Sequence, residues 1–133
     1  MKRLSTTEAR AFAERWLPAW TGNDPELLVS FYAEDAFYSD PAVPQGVQGK
    51  AALLAYFRKL LAYNPAWVWT QIEGIPMEGG FLNKWLARIP VRDKTLEIVG
   101  VCLVQLNCAG KIERNEVYFD RTELLAEISR AGA

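Results

Sequence analysis

Along the first part of the chain, apolar residues recur at helical spacing. After Ser5 they fall at Ala9, Phe12, Ala13, Trp16, Leu17 and Trp20, one face of a helix, and Ser5 with Glu8 has the spacing of a capping box. Pro18 lies inside this pattern and removes a backbone donor, so the helix should kink or tighten there before "TGNDP" ends it. Asp24 then caps and Pro25 starts a second, short helix, with Leu27, Leu28, Phe31 and Tyr32 as its expected buried side. The chain extends through "AFYSD" into the stretch "YSDPAVPQGVQG", whose prolines and glycines mark a loop. Helical spacing returns in "GKAALLAYFRKLLAY", at Leu53, Leu54, Phe57, Leu60 and Leu61, and Asn64 with Pro65 stops it.

From Trp67 to Phe119 the pattern changes to extended runs, "AWVWTQIEGI", "GFLNKWLARIPV", "LEIVGVCLVQL" and "KIERNEVYF", separated by turn signals. Four strands joined by short turns predict an antiparallel meander. "DRTELLAEISRA" reads as a last helix, with Asp120 as its cap and Glu123 three residues on. These elements predict an α+β domain over residues 1–133, in which a cone-shaped, curled antiparallel sheet packs on three N-terminal helices and a short C-terminal helix follows. Helices on the concave side of such a sheet leave a tapering cavity.

Strand parity predicts what faces that cavity. If Cys102 points inward, so do Leu96, Ile98, Gly100 and Val104; on the last strand the same face carries Asn115, Val117 and Phe119, leaving Arg114, Glu116 and Tyr118 outside. On the strand from Phe81 the apolar set is Phe81, Asn83, Trp85, Ala87 and Ile89. Asn83 and Asn115 are then polar points in a greasy pocket, the kind that suits a hydrophobic small molecule carrying one or two oxygens.

Composition narrows the chemistry. A formal charge of −1 offers no basic surface for a phosphate backbone, which argues against nucleic acid. No apolar run approaches the ~20 residues of a membrane span, and no long apolar block opens the sequence, so the expected location is the cytoplasm. The chain has no histidine, which excludes Ser-His and Cys-His nucleophiles and the usual zinc sites; neither metal nor cofactor is expected. Cys102 and Cys108, six residues apart in one predicted strand and thus roughly 20 Å from each other, should be free thiols.

The order of elements, with "FYAEDAFYSDP" early, "GKAALLAYF" opening the third helix and "AGKIERNEVYFDRTELL" at the end, resembles the nuclear transport factor 2-like superfamily, especially its SnoaL-like polyketide cyclase and ketosteroid isomerase branches. In ketosteroid isomerases a catalytic aspartate ends the early strand, proline follows, and a loop leads to a glycine opening the third helix; Asp40, Pro41 and Gly49 fit that layout. By resemblance Asp40 is the general base. From the residues alone it is equally a turn former, because aspartate before proline bonds nearby backbone N–H groups. The branch's oxyanion tyrosine falls at Trp16 and its oxyanion acid at Cys102, which argues against steroid isomerisation itself. Asp120 stands where SnoaL-like cyclases carry an acid/base, although its spacing is that of a cap. Trp16, Tyr32, Tyr56, Trp85, Cys102, Val117 and Phe119 join the two asparagines as candidate ligand contacts, Trp16, Tyr32 and Tyr56 also suiting helical core positions.

Three functions follow from these readings. One is a cofactor-free isomerase or cyclase using Asp40 as base; the second is a binding protein that encloses a hydrophobic molecule without reaction. The third is a protein-interaction module using the outer sheet face, through which many relatives form homodimers.

Overall fold

The computed structural model describes residues 3–132. Helix α1 spans Thr6–Trp16, and its capping box is complete: the Ser5 hydroxyl accepts from Glu8 N at 3.0 Å, and the Glu8 carboxylate accepts from Ser5 N at 2.9 Å. At Pro18 the helix tightens into a 3₁₀ turn, Leu17–Trp20, as the missing donor required. Helix α2 is Pro25–Val29, capped by Asp24 Oδ1, which accepts from Leu27 N at 3.1 Å. It is shorter than its periodicity suggests. Leu27 is 49% exposed, and Tyr32 belongs to the following strand, because Ile112 N donates to Phe31 O at 2.8 Å and captures the backbone for the sheet.

Strand β1 (Tyr32–Asp40) pairs with β2 (Val43–Gln48), so the proline-rich stretch is an edge strand rather than a loop. Proline is tolerated there because one side of an edge strand lacks a partner. Helix α3 (Lys50–Tyr63) starts after Gly49, whose φ of 93° is a conformation glycine adopts without strain. The meander is present as β3 (Val68–Met77), β4 (Gly80–Val91), β5 (Lys94–Leu106) and β6 (Ile112–Tyr118). Cys102 lies in β5 and Cys108 in the turn beyond it, both as free thiols.

All six strands form one sheet in the order β2-β1-β6-β5-β4-β3. The expectation of a purely antiparallel sheet is corrected at one seam: β1 and β6 run parallel, with Tyr38 opposite Asn115 and Ser39 opposite Glu116. The sheet is thus mixed, curled and unclosed around α1 to α3. Parity along β4, β5 and β6 is as expected, and Phe81, Asn83, Trp85, Ala87, Ile89, Cys102, Val104 and Asn115 are all buried.

Helix α4 (Thr122–Gly132) closes the open end of the cone. Leu124 packs inward, and the Glu127 carboxylate is buried against Lys94 Nζ at 2.9 Å and Arg130 Nη1 at 2.7 Å, with Arg92 Nη2 at 4.0 Å. Arg92 lies in the β4–β5 turn and Lys94 opens β5, so this cluster fastens the last helix to the rim of the sheet.

Candidate functional site

Asp40 ends β1, and Pro41 forces it into extended backbone. A register shift between Tyr38 and Asp40 in the pairing with β2 bends the strand there. One carboxylate oxygen, Oδ1, accepts from the backbone N–H groups of Ala42 at 2.8 Å and Val43 at 3.0 Å, making a turn. The other, Oδ2, accepts from the hydroxyls of Tyr38 and Tyr56, each at 2.7 Å. The same side chain is therefore both turn former and cavity wall: it is only 8% exposed. Burial, and then the charge of Asp40, push the Tyr38 phenol well above its ordinary pKa. Tyr56 is raised by burial and by its bond to Asp40, against a small opposing pull from Arg121.

Asp40 opens onto a cavity of about 230 Å³. The N-terminal helices contribute Trp16, Leu17, Trp20, Tyr56 and Leu60; the sheet contributes chiefly Trp69, Trp85, Ile98, Cys102 and Asn115, with Phe119 just beyond β6; α4 supplies Leu124, Leu125 and Ile128 at the mouth beside Arg121. Trp85 can lie across β5 because residue 100 is glycine: a Cβ there would come within 2.5 Å of the indole. Its ring meets Phe119 edge-on at 5.6 Å.

Polar groups are few at the far end. Asn115 Nδ2 donates to Tyr32 Oη at 3.0 Å, while Asn115 Oδ1 and the Trp16 indole N–H have no hydrogen-bond partner. The Trp16 N–H lies near enough to the Tyr32 oxygen to favour its ionised form slightly, without the geometry of a hydrogen bond. Burial dominates and raises the Tyr32 phenol far above the ordinary tyrosine range. Cys102 is pushed up to about 12 by burial, so at neutral pH it is a thiol and no nucleophile.

The structure brings together Asp40, Trp16, Tyr56, Trp85, Cys102, Asn115, Val117 and Phe119 around one cavity. It leaves three predicted residues out. Tyr32 and Asn83 lie behind the wall: Tyr32 is held by Asn115, and Asn83 spends its amide on Gln71, which donates at 2.8 Å, and on Cys102 Sγ at 3.6 Å. Asp120 is exposed and accepts from Thr122 N at 2.9 Å and Thr122 Oγ1 at 2.6 Å, so it secures the start of α4 and does not face the cavity. The site list from sequence lacks Tyr38, Trp20 and Arg121. Tyr38 shares Asp40's strand face and was legible by parity; Arg121 carries no such signal. Among the described residues no group of three His, Cys, Asp or Glu side chains is placed to hold a metal ion, and no helix is long and apolar enough to cross a membrane.

A curled sheet wrapped on three helices around a one-ended cavity defines the cone class of the nuclear transport factor 2-like superfamily. Within it, the SnoaL-like domain profile matches residues 13–115, and the chain belongs to that family. Comparison with curated proteins finds no match. Among solved structures, a protein of ketosteroid isomerase-like fold from Catenulispora acidiphila, in complex with trimethylamine, is similar with a TM-score of 0.75 and 18% identity over 86% of this chain and 89% of that one. A candidate isomerase of the SnoaL-like family from Agrobacterium tumefaciens aligns with a TM-score of 0.70 and 22% identity, over 86% of this chain and 98% of its own. RV0760c from Mycobacterium tuberculosis gives 0.72 and 21%, over 88% and 94%. At these identities the likeness concerns the fold.

Proposed function

We propose that this protein encloses a hydrophobic small molecule in the cone, with the Asp40 corner holding its polar end. One observation carries the reading: a buried carboxylate with two phenols on a single oxygen stands at the edge of an otherwise aromatic and aliphatic cavity. Such a site has few polar groups and much apolar wall, which fixes orientation while burial supplies affinity. The trimethylamine of the Catenulispora relative puts small amines among the candidates here. The test is native mass spectrometry of protein purified from cells, set beside Ala87→Phe, which fills the cavity from the sheet side. A bound mass present in the wild type and missing from the folded variant supports the reading; equal occupancy in both overturns it.

A second reading makes the same pocket catalytic. It is favoured by the Trp16 indole N–H, which makes no full hydrogen bond where it lies beside the Tyr32 oxygen and, turned toward the cavity, could brace an oxyanion while Asp40 removes a proton beside a carbonyl. A carboxylate has about four acceptor positions, and here all are occupied, so one tyrosine must release Oδ2 first. Tyr56, only partly buried, is the one free to do so. Deuterium uptake at the α-carbon of an aromatic ketone in D₂O, lost in Asp40→Asn, is the expected signature; uptake unchanged by the substitution removes Asp40 as base.

We also propose a homodimer through the outer sheet face, where Val68, Ile75, Val99 and Tyr118 are exposed. Light scattering of Val99→Lys should report a monomer where the wild type is a dimer. A wild type that is monomeric, or a variant that stays dimeric, rejects this surface.

A further inference from the structure

Accepting the enclosed-cavity reading above, we infer that the head group this cavity selects is a quaternary ammonium, a cation without N–H donors, seated against indole faces beside Asp40. The chain has five tryptophans, and all five line this cavity. Four of them form a continuous aromatic chain: Trp16 to Trp20 is 6.1 Å between centroids, Trp20 to Trp69 and Trp67 to Trp69 are each 5.8 Å, and Trp20 reaches Tyr38 at 6.0 Å; Trp85 stands apart against Phe119. The face of an indole carries negative charge density, so a cation seated on the face of one of these rings is attracted to it.

Asp40 adds a full negative charge to that wall. Buried carboxylates are ordinarily compensated by a cation. This one has only the four neutral donors described above; among the described residues the arginine and lysine ion pairs go instead to Glu26, Glu97, Glu116 and Glu127. A positive ligand would complete the pair.

The same saturation chooses the kind of cation. A primary ammonium brings three N–H donors into an apolar cavity where the acceptor positions of Asp40 are taken and the unpartnered Asn115 Oδ1 can accept from only part of them, and buried donors left unpaired are costly. A quaternary ammonium needs no acceptor. Its charge is spread over methyl groups that pack against the rings, and it meets the carboxylate by field alone.

The other titratable groups on the cavity wall are Tyr38, Tyr56, Cys102 and Arg121. Burial keeps the phenols and the thiol neutral at physiological pH. Arg121, half-buried at the mouth, is the one positive charge on the wall among the described residues and opposes the ligand, which gives the proposal two charge tests of opposite sign.

The experiment is titration of tryptophan fluorescence with benzyltrimethylammonium, with neopentylbenzene as its neutral isostere and with benzylammonium. The quaternary probe should bind about tenfold tighter than either. Asp40→Asn should remove most of that preference while neopentylbenzene still binds, which also shows that the cavity has formed; Arg121→Gln should tighten the quaternary probe two- to threefold, by roughly the gain of losing one nearby like charge. Equal binding of the quaternary probe and neopentylbenzene overturns the ammonium assignment and leaves the enclosed cavity standing. If no probe binds the wild-type protein, the enclosed-cavity reading falls and this inference falls with it. Should Asp40→Asn not fold, a quaternary probe that binds Arg121→Gln no tighter than wild type rejects the assignment on its own.

Discussion

Two aspartates leave the same end of the sheet, because β1 and β6 are parallel neighbours and Asp40 ends one while Asp120 follows the other. Asp40 is followed by proline and shares its strand face with Tyr38, so its carboxylate turns inward and meets two phenols. Asp120 is followed by Arg121 and Thr122, and its carboxylate folds back on the Thr122 backbone and hydroxyl in water. Identical side chains at nearly equivalent places thus do different work. The difference lies in parity and in the next residue, which decide whether the nearest donors are buried hydroxyls or a helix start.

The largest expected effect separating the two corners is alkaline. Tyr32, Tyr38 and Tyr56 are raised above the ordinary value of 10.0 and Cys102 above 9.0, all chiefly by burial. For such groups the folded state holds its protons where the unfolded state has lost them, so their stability is fully present below the unfolded pKa and is lost as pH rises. The urea midpoint should therefore fall from about pH 9 upward, beginning with Cys102 and steepening as the phenols engage. Tyrosinate absorbance should rise in step with loss of circular dichroism. Cys102→Ala should delay the onset, and an unchanged onset would mean that the thiol is not buried.

Next in size is Asp40→Ala, expected to cost about 3 kcal/mol in urea unfolding, because it strands the fully buried Tyr38 hydroxyl and two backbone N–H groups. Tyr38→Phe and Tyr56→Phe each remove one donor to Oδ2; the former should cost about 1–2 kcal/mol and the latter less, since Tyr56 can turn to water. If the two phenylalanine variants lose equally, the two hydroxyls are equally committed, and the release of Tyr56 invoked for catalysis loses its basis.

Much of this architecture is legible in the sequence. The Ser5–Glu8 box, the tightening at Pro18 and the inward set on β4 to β6 follow from local spacing and from alternation, which need no knowledge of partners. What escaped was non-local. The parallel seam between β1 and β6 joins residues some eighty positions apart, and its capture of Phe31 moved Tyr32 from a helix to a strand. Parity placed Asn83 inward, but only the neighbouring strand reveals Gln71 sitting on its amide. The cap spacing of Asp120 and Glu123 marked the start of α4 and could not say that the helix covers the cone or that Arg121 stands at its mouth. Asp40 itself was legible as both turn and wall, and the sequence did not reveal that one carboxylate serves both, because the second phenol arrives from α3.

The smallest effect is at the other corner. Asp120→Ala removes a single side-chain acceptor from the start of α4 and should lower Tm by about 2–4 °C. Its bonds to Thr122, the side-chain one first, hold the Asp120 carboxyl below its ordinary value of 3.8. A lowered folded-state pKa means that this contribution is present above 3.8 and is lost as pH falls through the folded value, so the variant and the wild type should converge in acid. Since α4 lies across the mouth, the same substitution should speed ligand release more than it weakens the walls, a change in dissociation rate with little change in the fluorescence of the bound state. A loss as large as that of Asp40→Ala, or one that persists unchanged at low pH, would place Asp120 in the core energetics and dissolve the contrast between the two corners.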